Sequence, residues 1–191
     1  KILGANAAMV GLIAGLAEFA GYAIRLVSGY LSDKTKARWL FVIAGYGMLA
    51  AVPLLAAANY WQLAACFIVC ERLGKAIRSP ARDTIVSEAA QTVGTGWGFG
   101  ITEAMDQIGA LLGPLIFTSL LVLGGLANKG ISDYQKGYAF FWLPWVLLLL
   151  CVSIAYRQFP NPDYASSVAG HPKAEEKFSK VFWLYIGFTF F

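Results

Sequence analysis

Apolar runs of membrane-crossing length, divided by short charged clusters, recur along this chain of 191 residues. A bilayer core about 30 Å thick takes roughly 20 apolar residues in a helix. Lipid offers no hydrogen bonds, so such runs are confined to helices that satisfy their own backbone groups. Composition agrees: 58% of residues are hydrophobic and 14% charged, with a mean hydropathy of +0.61. Soluble domains carry about 25% charged residues. One water-soluble core cannot hide this much apolar surface. The expected fold class is all-α, a polytopic transmembrane helical bundle.

Five full spans and part of a sixth are expected. The first covers residues 5–30 and holds Glu18 and Arg25 on one face with Tyr22, a pattern that reads as a packed interface with an internal polar contact. The second, 40–58, is uncharged and contains Pro53, which should kink it. The third starts at Trp61 and is strongly charged from Glu71 onward. The fourth, 96–126, is rich in glycine and contains Glu103 and Asp106, and a polar loop at 127–137 follows it. The fifth, 138–156, is uncharged and contains Pro144. Residues 1–157 are thus expected to be part of one bundle, 158–180 a linker, and 181–191 the start of a second bundle, cut in mid-span.

Orientation follows from the basic residues. Lys34, Lys36, Arg38, Arg78, Arg82, Arg157, Lys173, Lys177 and Lys180 fall on one side, and Lys1, Lys129 and Lys136 on the other. The nine-residue side is expected to be cytoplasmic. The same clustering explains the net charge of +4 without nucleic acid as a partner. Cys66, Cys70 and Cys151 lie within apolar runs and read as small packing residues, with no spacing for a metal or a disulfide framework. His171 reads as a solvated linker residue, and Trp142, Trp145, Trp183 and Tyr185 as interface anchors and packing groups. No cofactor is expected.

Three stretches carry more specific information. Residues 29–38, read as a loop between two spans, contain Gly29, Asp33, Lys34, Lys36 and Arg38. Glycine permits close helix approach, an acid can bond free helix amides, and the bases hold the segment at the cytoplasmic face. In the third span, Glu71, Lys75, Arg78 and Arg82 are spaced to share one helical face, with Arg72 beside them. Charges inside a membrane helix must face protein or a watery cavity. In the fourth span, Gly109 and Gly113 form a small-residue face, Pro114 adds a bend, and Glu103 and Asp106 project to one side just before it.

Together these stretches resemble the major facilitator superfamily. Gly29, Asp33, Lys34 and Arg38 match that family's signature between its second and third helices, with Lys36 where a second glycine is usual. Arg72 matches the arginine of its fourth-helix pattern, with Ala76 in place of the glycine. Gly109, Gly113 and Pro114 match the start of the antiporters' fifth-helix pattern, but Phe117 and Thr118 replace its terminal glycines. The resemblance implies the second to sixth helices and the start of the seventh, within a fold of two six-helix bundles that rock around a central cavity. It implies a secondary transporter of a small solute or drug that exchanges it for protons, sits in lipid at a bacterial inner membrane, and acts as a monomer. Gly29, Asp33, Lys34 and Arg38 would then gate.

Each charged residue has a plainer alternative. Asp106 and Glu103 either carry protons or form permanent ion pairs with Arg72, Lys75 or Arg78. Arg72 either meets substrate or serves as a structural counter-ion. A membrane-embedded enzyme would need a nucleophile with its base, or a metal cluster, and one loop histidine with scattered cysteines supplies neither. A non-transporting scaffold or sensor of the same fold, and a uniporter or symporter, remain as alternatives.

Overall fold

The computed structural model describes residues 6–123 and 130–160. These residues form seven α-helices and one 3-10 turn, with no strand among them. The expected second-bundle start at 181–191, His171, Trp183 and Tyr185 lie outside the described residues, as does the linker beyond residue 160.

Helix α1 runs Ala7–Thr35, and the Asn6 side chain caps it by accepting from the Met9 amide at 2.7 Å. The segment expected as a loop from residue 29 is helical through Thr35, leaving only Lys36 and Ala37 as the connection. Lys36 ends α1 in the left-handed region, with φ 54°. A side chain there brings Cβ close to the carbonyl oxygen, which is why glycine is favoured at such a cap. Lys36→Gly is therefore expected to stabilise the protein by about 1 kcal/mol. Thermal unfolding in detergent checks this, and an unchanged or lower midpoint would show that the cap carries no strain.

The second span is α2 (Arg38–Met48), α3 (Ala51–Leu54) and a 3-10 turn at Leu55–Ala57. Pro53 has no N–H for the carbonyl of Leu49, and its ring crowds that carbonyl. The interruption falls at residues 49–50, one turn before the proline. Pro144 has the same relation to Phe140, and the fifth span divides there into α6 (Ile131–Phe140) and α7 (Trp142–Gln158). The polar stretch read as a loop at 127–137 is thus corrected over its second part: from Ile131 it is helix, while 127–129 lie outside the described residues.

Helix α4, Trp61–Ala89, passes through Pro80 unbroken. Proline at 80 deprives the Ala76 carbonyl of its intrahelical donor. Ser28 of α1 donates to that carbonyl at 3.0 Å, so the freed acceptor is satisfied from a neighbouring helix. α4 is the hub. It packs along α1 on one side and along α2 on the other, where Val42, Ala81 and Ile85 form a small core with Trp39, Phe41 and Tyr46. Gly45 and Gly74 meet at the α2–α4 crossing, close enough that no Cβ fits at either.

Helix α5, Thr95–Leu123, touches α4 near the connecting turn, where Gly98 faces Ala90. Farther along, Phe117 stacks with Phe141 at 5.9 Å and meets Tyr138 at 5.2 Å, over Gly137. α7 lies against α2 through Trp145, which donates to the Tyr46 carbonyl at 3.2 Å, and through the Trp39–Tyr156 ring contact. Trp145, expected as an interface anchor or packing group, is a packing residue here.

Large apolar residues cover the outside: Phe19 is 75% exposed and Leu26 79%. Cys66 and Cys151 are exposed as well, so neither packs in a core. Such a surface suits lipid. Three segments, Ala7–Thr35, Arg38–Ala57 and Ile131–Gln158, are long and apolar enough to cross a membrane. The 29 residues of α4 and of α5 also suffice in length; α4 carries the half-buried Glu71, Arg78, Arg82 and Glu88, while Glu103 and Asp106 of α5 are exposed.

Candidate functional site: a charged cavity and a shared arginine

Ala17 and Ala76, each 2% exposed, let α1 and α4 approach closely. Next to this seam, Glu18, Tyr22 and Arg25 of α1 face Arg72 and Lys75 of α4 across a cavity of about 250 Å³. Arg72 Nη1 lies 3.3 Å from Glu18 Oε2, and its Nε lies 3.5 Å from Glu71 Oε2. Both ends of the cross-helix pair are about half exposed, so solvent in the cavity weakens it. The Arg25 guanidinium sits 5.7 Å from the Tyr22 ring centroid. Neither Arg25 nor Lys75 makes an ion pair among the described residues. Lys75 is the central residue of α4, about 21 Å from each helix end.

Asp106 of α5 has its Oδ2 3.7 Å from Arg82 Nη1. The same guanidinium donates to Asp83 Oδ1 from Nε at 3.0 Å and from Nη2 at 2.9 Å. One arginine is therefore shared by two carboxylates: it hydrogen-bonds Asp83 and makes a longer ionic contact with Asp106. Glu103 accepts from the Gln107 amide at 2.8 Å and is exposed. Neither α5 acid reaches Arg72, Lys75 or Arg78, the partners considered from the sequence; Asp106 takes Arg82 instead.

Because α4 is continuous, the expected common face of Glu71, Lys75, Arg78 and Arg82 exists, but its members serve different neighbours. Lys75 faces the α1 cavity and Arg82 reaches α5. Arg78 turns to α2, where its guanidinium lies 4.4 Å from the Tyr46 ring centroid. That cation–π contact partly offsets the burial of Arg78 Nε and Nη1, which have no hydrogen-bond partner among the described residues.

Toward the end of α1, the position of a Cβ on Gly29 is 3.5 Å from Pro80, an ordinary contact distance, so α1 lies against α4 there. Lys34 lies over the Tyr30 ring at 5.8 Å. Asp33 is exposed and has no ion pair among the described residues. Arg38 opens α2 and forms a buried ion pair with Glu88, near the end of α4; their side chains are 13% and 11% exposed. On α5, Gly109 and Gly113 face open space, with nothing within 4 Å, and Pro114 lies inside an uninterrupted helix.

The profile of the Major Facilitator Superfamily matches residues 1–191. The chain belongs to that superfamily. Uncharacterized proteins of Mycobacterium bovis and Mycobacterium tuberculosis are each 38% identical to it over 196 residues, covering 98% of this chain and 46% of the relative. An uncharacterized MFS-type transporter of Methanocaldococcus jannaschii is 39% identical over 115 residues, covering 60% of this chain and 29% of that protein. The chain therefore spans less than half of these relatives. No solved structure matches it at a comparable level. As a superfamily member with an apolar exterior, it is an integral membrane protein.

In this superfamily chain the sequence pointed to Asp106, Glu103, Arg72, Glu71, Lys75 and Arg78, and the structure adds four partners. Glu18 and Arg25 complete the cavity, Arg82 holds Asp106, and Glu88 holds Arg38. Arg82 was findable, since it continues the charged face of α4. Glu88 had no such signal: it pairs with a residue fifty positions earlier in the chain.

Proposed function

We propose that the full-length protein is a secondary active transporter that exchanges a small solute or drug for protons by alternating access. Residues 1–157 would contribute to its first bundle, 158–180 the cytoplasmic linker and 181–191 the start of the second, in a bacterial inner membrane and as a monomer. One observation carries this reading. Asp106, on a helix of spanning length, is 61% exposed, and its one ion pair among the described residues is with an arginine that a second carboxylate shares. Protonating Asp106 would release it from Arg82 at little cost, because Arg82 keeps Asp83. A proton would thus loosen the contact between α4 and α5 without leaving a bare guanidinium.

Gly29, Asp33, Lys34 and Arg38 fit a gating role in that cycle. Asp33 is exposed at the cytoplasmic end of α1, available to a segment that closes there. Gly109, Gly113 and Pro114 present a small, open surface of α5 against which another helix can pack closely.

The test uses inverted vesicles that hold the full-length protein, an imposed pH gradient and a panel of solutes. A transported solute is expected to dissipate the gradient in the wild type. Asp106→Asn is expected to lower that proton movement at least about tenfold, the loss of a positioned proton carrier. Solute uptake with no proton movement, or full coupling in Asp106→Asn, would overturn proton exchange.

A further inference from the structure

The cavity between α1 and α4 has a charge pattern that bears on what the transporter carries. Its lining holds three cations, Arg25, Arg72 and Lys75, and one carboxylate, Glu18. Glu71 approaches Arg72 from beside the cavity, so both neighbouring acids are engaged by the same arginine. Arg25 and Lys75 are left with no acid among the described residues. Such an excess is costly in a spanning helix unless something in the cavity answers it.

Position along α4 narrows the occupant. Lys75 is the central residue of the helix, about 21 Å from either end. A headgroup phosphate reaches helix ends far more readily than helix centres. The volume of about 250 Å³ equals that of about eight water molecules, enough for a small organic ion and its immediate water. The Tyr22 ring, beside which Arg25 lies, supplies a flat apolar wall.

We infer that this cavity binds a small solute through a carboxylate or phosphate group held by Lys75 and Arg25. The inference rests on the transporter reading and deepens it by naming the chemical class of the solute. Arg72 adds a third donor: its contact with Glu18, at 3.3 Å and half exposed, is one that an arriving anion can displace. Glu18 then repels a second anion, so the site holds one acidic group at a time.

The test is isothermal titration of the full-length protein in nanodiscs of zwitterionic lipid. The probes are citrate, acetate and inorganic phosphate, with glycerol as the uncharged control. At least one anion is expected to bind, and glycerol is not. Lys75→Gln and Arg25→Gln should each weaken that binding by roughly tenfold to hundredfold, the loss of one charge-assisted hydrogen bond. Lys75→Arg should retain most of it. Both residues are exposed, and an unchanged unfolding midpoint establishes that the variants fold.

Failure of all three anions to bind overturns the inference, as does binding that survives in both Gln variants. Competition by added anionic lipid, with no effect of soluble anion, would assign the site to a headgroup and overturn it too. The coupling assay fails separately. An anion that binds and is carried without proton movement leaves this assignment standing and removes proton exchange. Proton movement driven only by uncharged solutes does the reverse.

Discussion

Gly45→Ala should destabilise the protein by about 3 kcal/mol, at the upper end of the usual cost of overpacking. A Cβ at Gly45 would lie 2.5 Å from Arg78 Cβ and 2.6 Å from the Gly74 carbonyl oxygen. Neither atom is the free end of a flexible side chain, so the α2–α4 crossing itself must widen. Two adjustments follow. Tyr46 and Arg78, stacked at 4.4 Å beside this crossing, must separate or slide. The small core of Val42, Ala81 and Ile85 on the same interface loses packing. Gly47→Ala is the internal control. It is on the same helix with nothing within 4 Å of its Cβ position, and it should be neutral or slightly stabilising, as alanine is the better helix former. Thermal unfolding of the full-length protein in detergent measures both. Equal midpoints for the two variants would show that α2 and α4 are not in the close contact described.

Arg38→Met should cost about 3–5 kcal/mol, because it leaves the buried Glu88 carboxylate without its guanidinium. The Glu88 side chain is 11% exposed, and its second oxygen, Oε2, already has no hydrogen-bond partner among the described residues. The double variant Arg38→Met with Glu88→Leu should recover most of the loss, since it removes the isolated charge and keeps the volume apolar. Unfolding midpoints of the two single variants and the double variant form the cycle that measures the coupling. A double variant as unstable as Arg38→Met alone would mean that Arg38 acts through packing rather than through Glu88. The pair joins the first residue of α2 to the last two turns of α4, so it also fixes the position of the Lys36–Ala37 connection.

Much of the architecture is legible in the amino-acid sequence. Long apolar runs announce helices because lipid leaves a chain no other way to satisfy its backbone. That physics reaches the all-α class, while the superfamily was legible in the motifs around Asp33, Arg72 and Gly109. Local rules were less secure where they depended on neighbours. Pro53 and Pro144 interrupt their spans as a proline should, with the break a turn upstream. Gly29, Asp33 and Lys34 looked like a loop because they are polar or small, yet they end a helix that closes only at Lys36.

The candidate site divides in the same way. A spacing rule placed Glu71, Lys75, Arg78 and Arg82 on one face of α4, and the continuous helix preserves it. Which partner each residue meets depends on three different helices: α1 at Lys75, α2 at Arg78 and α5 at Arg82. No periodicity within α4 carries that information. Pro80 shows the division most clearly. Taken alone, it marks a helix end, since it strips the Ala76 carbonyl of its donor. Ser28, forty-eight residues earlier, supplies a new donor from α1, and α4 continues for nine residues past the proline. The sequence by itself determined that apolar helices would form and cross lipid, because that requirement is met within each segment. Only the tertiary structure decided where the charges pair and where α4 ends, because those energies belong to groups on different helices.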